Sequence, residues 1–157
     1  MGNIVIIADH QFLKNIIFAG NRESVLQKTG PLPQGDNTII SRTRSQLQEY
    51  FGAERIQFSL PLSFQGTEFQ QLAWKTLLTI PFGKTYSYQE QAKIMGKDKA
   101  IRAVGSANGA NPLPIVIPCH RIIAKSGKLA GFAAGLGIKK FLLRLEGHTI
   151  SKMALVS

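Results

Sequence analysis

Short apolar runs and polar turns alternate along the first part of the chain. The apolar runs 3–8 and 12–18 flank an Asp-His pair, which predicts a β-hairpin that ends near residues 20–21. The segment 30–36 is rich in Gly and Pro and predicts a loop.

Apolar residues at helical spacing predict a helix over 38–51, and the alternating run 56–60 predicts a short strand. The inner side of the helix is expected to consist of Ile39, Ile40, Leu47, Tyr50 and Phe51. Together these elements predict a small α/β domain over residues 1–62. It carries no evident chemistry of its own and is expected to support the rest of the chain.

A second segment follows a predicted linker at residues 61–63 and shows helical spacing of its apolar residues. Capping boxes at 67–70 and 87–90 predict the beginnings of two helices. The first helix is expected to end at 81–83, where Pro and Gly occur, and the second near Met95.

A third helix is predicted over 99–108, after a turn at Gly96 and with Asp98 as its N-cap. Its inward residues are expected to be Ala100, Ala103, Val104 and Ala107. The opposite side carries Lys99, Arg102 and Ser106. Two short helices joined by a Gly-containing turn indicate a helix-turn-helix, although paired short helices also occur in many other proteins.

The positive charge of the chain is concentrated in this second segment. The chain has 19 Lys and Arg against 9 Asp and Glu, a formal net charge of +10. Residues 1–62 hold six cationic and five acidic side chains, whereas residues 63–157 hold thirteen and four. Cationic side chains bind phosphates and release their counterions, so this one-sided charge indicates a polyanionic partner.

Residues 111–121 read NPLPIVIPCHR and contain the single cysteine of the chain. Cys119 lies between Pro118 and His120, at the end of an apolar run and next to a possible base. A lone cysteine is usually a small core residue, but a thiol near an imidazole is also the arrangement of a cysteine nucleophile. Neighbouring side chains of an extended segment point to opposite sides, so a bridging water is expected to link Cys119 to His120.

The composition also excludes several kinds of site. One cysteine excludes an intramolecular disulfide, and three scattered histidines give no metal-ligand spacing. No apolar run has the length of a membrane span, and the N-terminus has the pattern of neither a signal peptide nor a myristoylation site. The sequence therefore predicts a cytoplasmic protein that needs no metal and does not bind a membrane.

The PCHR motif and the blocks around it resemble those of the O6-alkylguanine-DNA alkyltransferases, the methylated-DNA–protein-cysteine methyltransferases. The blocks that occur in the family's order and spacing are 64–91, 100–109, 127–135 and 139–147. The resemblance is weak over residues 1–62. It implies an α/β N-terminal domain, followed over residues 63–157 by a mainly helical domain with a winged helix-turn-helix-like DNA-binding unit.

The resemblance implies repair of DNA by direct reversal of the damage. A base inside a duplex is out of reach, so an O6-alkylguanine, and also an O4-alkylthymine, would be flipped out and its alkyl group transferred to Cys119. In the family a water links the thiol to a histidine, here His120, and a glutamate, here Glu146, orients the imidazole. Tyr88 matches the tyrosine that donates to the guanine ring, and Asn111 matches the hinge asparagine of the active-site segment.

Contacts with DNA are also implied by the resemblance. The family places its recognition helix in the minor groove, where Arg102 matches the arginine that fills the gap left by the flipped base. Without the resemblance, the position of Arg102 in the sequence would favour a solvated surface arginine. Tyr88 could equally be an aromatic residue of the core. Lys99, Ser106 and Ser87 are further candidates for DNA contacts. Arg121 is expected either to contact phosphate or to anchor the active-site segment.

The loop after the signature departs from the family's pattern. Bacterial members commonly have Gly-Tyr-Ala-Gly-Gly, whereas residues 131–135 of this chain read GFAAG. In the substrate pocket expected from Phe132, Ala133 and Ala134, the phenylalanine keeps the wall but lacks a hydroxyl group. Ala134 adds a methyl group, which is expected to narrow the pocket or to strain a position of positive φ.

The reaction product would be a thioether on Cys119. Each molecule would then react once, as a monomer on double-stranded DNA that contains O6-alkylguanine, and without a cofactor. The first alternative is a non-catalytic alkyltransferase-like protein that binds the lesion, which the presence of Cys119 disfavours. The other two are a basic helix-turn-helix regulator with a structural cysteine, and a cysteine hydrolase, which would need an oxyanion hole.

Overall fold

The computed structural model describes residues 3–18, 23, 26, 27, 30 and 35–147. These residues belong to two compact units that divide between Phe64 and Gln65. The predicted end of the hairpin at residues 20–21 lies outside the described residues, as do residues 31–34 of the predicted loop. Within the described ranges, every helix is too short or too polar to cross a membrane.

The first unit is built on the predicted hairpin. Strands β1 (Ile4–Ala8) and β2 (Leu13–Phe18) pair antiparallel, with Ile6 opposite Ile16 and a register irregularity near the turn. The Asp9 carboxylate closes the turn by accepting hydrogen bonds from two backbone N–H groups, at 2.8 and 2.7 Å. The hairpin prediction is confirmed for its described part.

Helix α1 (Thr38–Phe51) has the bounds that its periodicity predicts. Asn37 caps the helix, because its side chain accepts a hydrogen bond from the Ile40 N–H group at 2.9 Å. The helix packs on the hairpin. Its buried residues are Ile39, Thr43, Gln46, Leu47 and Tyr50. Ile40 and Phe51, which the spacing also places inside, are only half-buried.

The strand predicted over residues 56–60 is wrong. The Gln46 side chain of α1 binds both backbone groups of Ser59, accepting from its N–H at 2.9 Å and donating to its carbonyl at 3.0 Å. These backbone groups are therefore satisfied by a side chain and not by a strand ladder. Sheet-like pairing occurs just after this segment, as an isolated parallel bridge between Leu13 and Leu62.

The second unit is mainly helical. Helices α2 (Glu68–Leu77), α3 (Tyr88–Ile94) and α4 (Ile101–Gly109) pack together, and α5 (Leu136–Leu145) follows later in the chain. The core between the first three consists of Ala73, Ala92, Met95, Val104 and Ala107. The arrangement of α3, a turn and α4 is a helix-turn-helix. The predicted fold class, an α/β unit followed by a mainly helical unit, is confirmed.

A small parallel sheet accompanies these helices. Strands β3 (Tyr86–Ser87) and β4 (Ile122–Ile123) pair with Tyr86 opposite Ile122. Strand β3 leads directly into α3, and β4 follows the segment that contains Cys119. The sheet therefore joins the beginning of the helix-turn-helix to the segment that follows the cysteine.

Both predicted capping boxes are present, at 67–70 and 87–90. In each box the first side chain accepts from the backbone three residues later, and the glutamine or glutamate reaches back to the first backbone N–H group. Helix α2 ends earlier than predicted. It stops at Leu77, and Thr79 and Ile80 form turns before Pro81 is reached.

The predicted beginning of α4 is wrong. The helix begins at Ile101 rather than residue 99, and Asp98 does not cap it: the N-cap is Ala100, which makes no side-chain hydrogen bond. A turn between Lys97 and Ala100, closed by a backbone hydrogen bond of 2.8 Å, separates Asp98 from the first turn of the helix.

The predicted inward stripe of α4 is also partly wrong. Val104 and Ala107 are buried as expected, but Ala103 is exposed, Ala100 is half-buried, and Asn108 is buried instead. The buried stripe is shifted because α4 packs with its C-terminal half, where Asn108 finds a polar partner on α3.

Candidate active site around Cys119

Cys119 is the first residue of a short 3₁₀ turn (Cys119–Arg121), and only 7% of its surface is exposed. Pro118 has φ −82° and ψ 64°, and the Cys119 N–H group donates to the Ile117 carbonyl at 2.8 Å, which is the geometry of an inverse γ-turn. The expectation of an extended segment is therefore wrong. Neighbouring residues of a 3₁₀ turn are about 120° apart, so the side chains of Cys119 and His120 still diverge.

His120 is fully buried and is oriented by Glu146, as the resemblance implies. The His120 Nε2 and Glu146 Oε1 atoms are 2.8 Å apart. The His120 Nδ1 atom is buried and has no hydrogen-bond partner among the described protein atoms. A carboxylate can only accept here, so Nε2 carries the proton and Nδ1 presents a lone pair. Burial lowers the pKa of His120, against the opposing effect of Glu146, and therefore favours the neutral base.

Arg121 is buried beside the same carboxylate. Its Nε and Nη2 atoms donate to the two oxygens of Glu146 at 2.9 and 3.0 Å, and its Nη1 atom donates to the Ile80 carbonyl at 2.6 Å. All three nitrogens of the guanidinium therefore donate to groups inside the protein. Of the two roles that the sequence leaves open, they support the anchor and give no support to a phosphate contact.

Glu146 therefore lies between two basic side chains in a buried site. Its Oε2 atom also accepts a hydrogen bond from the Gly83 N–H group at 3.2 Å. Burial raises the pKa of Glu146, but the hydrogen bonds and charges of His120 and Arg121 outweigh this effect and hold the pKa well below its usual range. Glu146 is thus a carboxylate across the physiological pH range.

Asn111 organises the segment that leads to the cysteine. Its Nδ2 atom donates to the Ile117 carbonyl at 2.8 Å, and its Oδ1 atom accepts from the Leu113 N–H group at 2.9 Å. Ile115 between them is buried with φ 77°, a conformation that a β-branched residue adopts only when its surroundings impose it. The contacts of Asn111 are those of a residue that shapes this loop.

Two neighbouring side chains, Asn111 and Lys139, affect the pKa of the Cys119 thiol. Burial raises the pKa of Cys119, whereas a hydrogen bond from the Asn111 side chain and the charge of Lys139 act in the opposite direction. Lys139 lies on α5 with its side chain buried, and burial lowers its pKa to about 8. Its Nζ atom donates to the carbonyls of Ile122 and Ala130.

Lys139 was not singled out in the sequence, although a signal was present. It lies on the apolar stripe of α5 together with Leu136, Leu142 and Leu143, where a lysine interrupts the helical pattern. A lysine on the buried side of a helix requires partners, and here two backbone carbonyls supply them.

Tyr88 lies at the beginning of α3 and faces the loop after β4. Its hydroxyl group donates to the Ala130 carbonyl at 2.9 Å, the same carbonyl that accepts from Lys139. Burial raises the pKa of Tyr88, so the hydroxyl keeps its proton. Gly131 is required here, because it has φ 60° and an added Cβ atom would lie 2.9 Å from the Tyr88 hydroxyl oxygen.

The loop of Phe132, Ala133 and Ala134 is a tight turn closed by a 2.9 Å hydrogen bond from the Gly135 N–H group to the Phe132 carbonyl. The expectation that Ala134 strains a position of positive φ is wrong. The positive φ falls on Gly135, at 101°, and not on Ala134. A steric effect of the Ala134 methyl group stays a prediction.

The residues expected to contact DNA lie on the surface of the helix-turn-helix. Lys99 in the turn before α4, and Arg102 and Ser106 on the helix, are exposed. Ser87 is half-buried and caps α3, because its hydroxyl oxygen accepts from the Glu90 N–H group at 3.0 Å. Ile101 at the beginning of α4 is also exposed, and the rest of the outer side carries small residues such as Ala103, which leave the backbone open to close approach by a partner.

Comparisons with known proteins agree with this geometry. The family model described as the DNA-binding domain of 6-O-methylguanine DNA methyltransferase matches residues 68–148. A methylated-DNA–protein-cysteine methyltransferase of Methanosarcina acetivorans is 43% identical over 148 residues, which cover 94% of this chain and 93% of the relative. The chain belongs to this family. The constitutive methylated-DNA–protein-cysteine methyltransferase of Bacillus subtilis is 51% identical over 108 residues, 68% of this chain and 66% of the relative.

Solved structures of the methyltransferase family have the same fold. The Mycobacterium tuberculosis OGT, whose crystal structure is in complex with DNA, superposes with a TM-score of 0.83 at 40% identity and covers 91% of this chain and 85% of its own. The O6-methylguanine-DNA methyltransferase of Pyrococcus kodakaraensis gives a TM-score of 0.68 at 26% identity, over 92% and 90% of the two chains. The resemblance recognised in the sequence is confirmed.

The carboxylate of Glu146 is expected to make the stability of the second unit sensitive to acid. Its folded pKa lies below its ordinary value of 4.5, so its contribution is complete above that pH and declines as the pH falls below it. Replacing Glu146 by Gln leaves Arg121 buried without a counter-charge and should cost about 3 kcal/mol at pH 7. The difference in free energy of unfolding between the unmodified protein and the variant should shrink by about 1.4 kcal/mol for each pH unit below the ordinary pKa of Glu146.

Urea unfolding of both proteins between pH 7 and pH 3 measures this difference. Glu68→Gln, at an exposed position of the same unit, is the control and should change the free energy of unfolding at pH 7 by no more than about 1 kcal/mol. A difference for Glu146→Gln that stays constant down to pH 3 would show that the carboxylate charge is not what stabilises the site.

Proposed function

We propose that this protein repairs alkylated DNA by transferring the alkyl group from O6 of a guanine, or O4 of a thymine, to the Sγ atom of Cys119. The observation that carries the proposal is the buried Cys119 next to His120, whose Nδ1 atom has a free lone pair while Glu146 holds Nε2. A nucleophile, a base and a group that orients the base are the parts that nucleophilic catalysis needs.

The proton of the thiol has a defined route. A water between Sγ and the imidazole passes the proton to His120 Nδ1, because the two side chains diverge and do not meet directly. The imidazolium that forms is stabilised by Glu146, which stays ionised. Asn111 and Lys139 favour the thiolate, as their effects on the pKa of Cys119 indicate.

The chemical step exchanges one bond for another. The thiolate attacks the alkyl carbon, a carbon–sulfur bond forms, and the bond between that carbon and O6 breaks. The electron pair stays on the guanine, which becomes an ordinary base by taking up one proton, equal in number to the proton that the thiol gave to His120 and that His120 then releases to solvent. Donors aimed at the leaving base stabilise its developing negative charge. The Tyr88 hydroxyl, which donates to Ala130 in the free protein, exchanges that acceptor for the guanine ring.

The helix-turn-helix brings the substrate to the site. Residues 63–157 carry thirteen cationic and four acidic residues, and α4 exposes Arg102 with Lys99 and Ser106 nearby. We assign α4 to the minor groove, Arg102 to the gap left by the flipped base, and the pocket expected from Phe132, Ala133 and Ala134 to the extruded base. The thioether on Cys119 is not reversed by thiol exchange, so each molecule reacts once. A cytoplasmic location and action as a monomer remain predictions.

Removing the thiol should abolish alkyl transfer and leave DNA binding nearly unchanged, because the phosphate contacts lie on the helix-turn-helix. The test mixes the protein with duplex DNA that contains O6-methylguanine and measures its intact mass. The unmodified protein should gain one methyl group and the Cys119→Ala variant none. A methyl gain by the variant would contradict the assignment, and no gain by either protein would favour the non-catalytic lesion binder or the regulator.

Arg102→Ala should slow repair of duplex DNA more than reaction with a free O6-alkylguanine base, because only the duplex requires flipping. We expect a loss of at least about tenfold for the duplex, which corresponds to about 1.4 kcal/mol of stabilisation of the flipped state. Lys84→Ala provides a control for the loss of one positive charge elsewhere in the unit. Equal losses on both substrates would remove Arg102 from this role.

The methyl group of Ala134 is expected to restrict large alkyl groups. A methyl group needs little room, whereas a benzyl group needs space beyond the sulfur. Ala134→Gly should therefore speed the reaction with O6-benzylguanine and leave O6-methylguanine nearly unchanged. Phe132→Tyr is the comparison variant and should speed both, because it adds a donor. Single-turnover rates on both bases decide this, and equal benzyl rates for the unmodified protein and Ala134→Gly would refute the steric argument.

A further inference from the structure

A buried pair of amide side chains joins the two helices of the helix-turn-helix. Gln91 on α3 is fully buried, and Asn108 on α4 is 8% exposed. The Gln91 Nε2 atom donates to Asn108 Oδ1 at 3.0 Å, and the Asn108 Nδ2 atom donates to Gln91 Oε1 at 2.7 Å. The second Nε2 hydrogen of Gln91 points to α2, where the Ala73 carbonyl accepts at 3.3 Å. The pair thus connects all three helices that pack together.

The surroundings of this pair are apolar. The core between the helices consists of Ala73, Ala92, Met95, Val104 and Ala107, with Phe69 and Tyr88 packed against it. Apolar contacts are non-directional, so they define the register of a helix less sharply than buried hydrogen bonds do. A shift of α4 by one residue, about 1.5 Å, would break both amide hydrogen bonds and leave four polar groups unpaired in the core. The amide pair therefore selects one register of α4.

The register of α4 matters for the site because this helix connects Arg102 with the segment of Cys119. Arg102 is exposed on the N-terminal half of α4, while the C-terminal end leads through Asn111 to the segment of Cys119. The Trp74 Nε1 atom donates to the Ala107 carbonyl at 2.8 Å and holds the same end of the helix. A change in the seating of α4 would alter the distance between Arg102 and the thiol.

We propose that Gln91 and Asn108 are positioning residues for the repair of duplex DNA, because they hold α4 in the one register that aligns Arg102 with the Cys119 pocket. This inference rests on the proposed function. Neither residue touches the substrate. A free alkylated base needs only the pocket, whereas a duplex needs the pocket and α4 in a fixed relation. Loss of the pair should therefore affect the two substrates unequally.

The experiment compares three variants of the full chain. Gln91→Leu removes one partner and leaves Asn108 unpaired, which should lower stability as well as activity. The double variant Gln91→Leu/Asn108→Leu makes the interface fully apolar, which avoids the unpaired group and should restore most of the stability. The exchanged pair Gln91→Asn/Asn108→Gln keeps two amides and should recover part of the activity on duplex DNA.

The readout is the ratio of single-turnover rates on duplex O6-methylguanine and on the free base, with the urea midpoint measured in parallel. For the double variant we expect a free-base rate within about twofold of the unmodified protein and a duplex rate lowered about tenfold. The matched control is Gln46→Leu, a buried glutamine with the same 8% exposure as Asn108, which makes two hydrogen bonds in the first unit. It should lower stability without changing the ratio.

Two results would overturn the inference and can be told apart. If the unmodified protein reacts and the double variant has the same rate ratio, the pair contributes stability alone. If the unmodified protein transfers nothing to Cys119 from either substrate, the proposed function fails and the inference fails with it.

Discussion

The carboxylate of Glu146 connects the parts of the second unit that the chemistry requires. It accepts hydrogen bonds from His120, from two nitrogens of Arg121 and from the Gly83 backbone, and so joins the end of α5, the turn of Cys119 and the loop after α2. A buried carboxylate costs free energy unless it is paired, and here the pairing is almost complete. The same contacts that make its burial possible also determine the state of the neighbouring imidazole. The tautomer of His120 follows from Glu146, and the free Nδ1 follows from the tautomer.

Local features of this structure could be predicted and long-range ones could not. The capping boxes at 67–70 and 87–90 and the helix 38–51 depend on side chains and backbone groups within a few residues, so their patterns are visible in the sequence. The prediction of a strand at 56–60 failed because the backbone of this segment bonds to the side chain of Gln46, which lies on α1, 13 residues earlier in the sequence. The cap at Asp98 failed because a tight turn competed with the helix for the same residues.

The residues of the candidate site also differ in how far the sequence alone could identify them. Cys119 and His120 could be recognised from their neighbours alone, while Glu146, Tyr88 and Asn111 depended on the family resemblance. The anchor role of Arg121 required the structure, because its partner is 25 residues away in sequence. Lys139 and the pair of Gln91 and Asn108 were missed for a related reason. A polar residue on a buried helix side is visible in the pattern, but its partner is not.

The burial of Cys119 has a consequence for a protein that reacts once. Burial raises the pKa of the thiol, so the free protein holds its sulfur in the less reactive protonated form. Small electrophiles in solution would otherwise consume the single nucleophile without repairing anything. The thiolate then has to form at the moment of reaction, through His120, whose pKa is lowered by the same burial. Both shifts have burial as their largest cause. Burial therefore favours the protonated thiol in the free protein, while the same enclosure strengthens the donors that would stabilise the departing guanine.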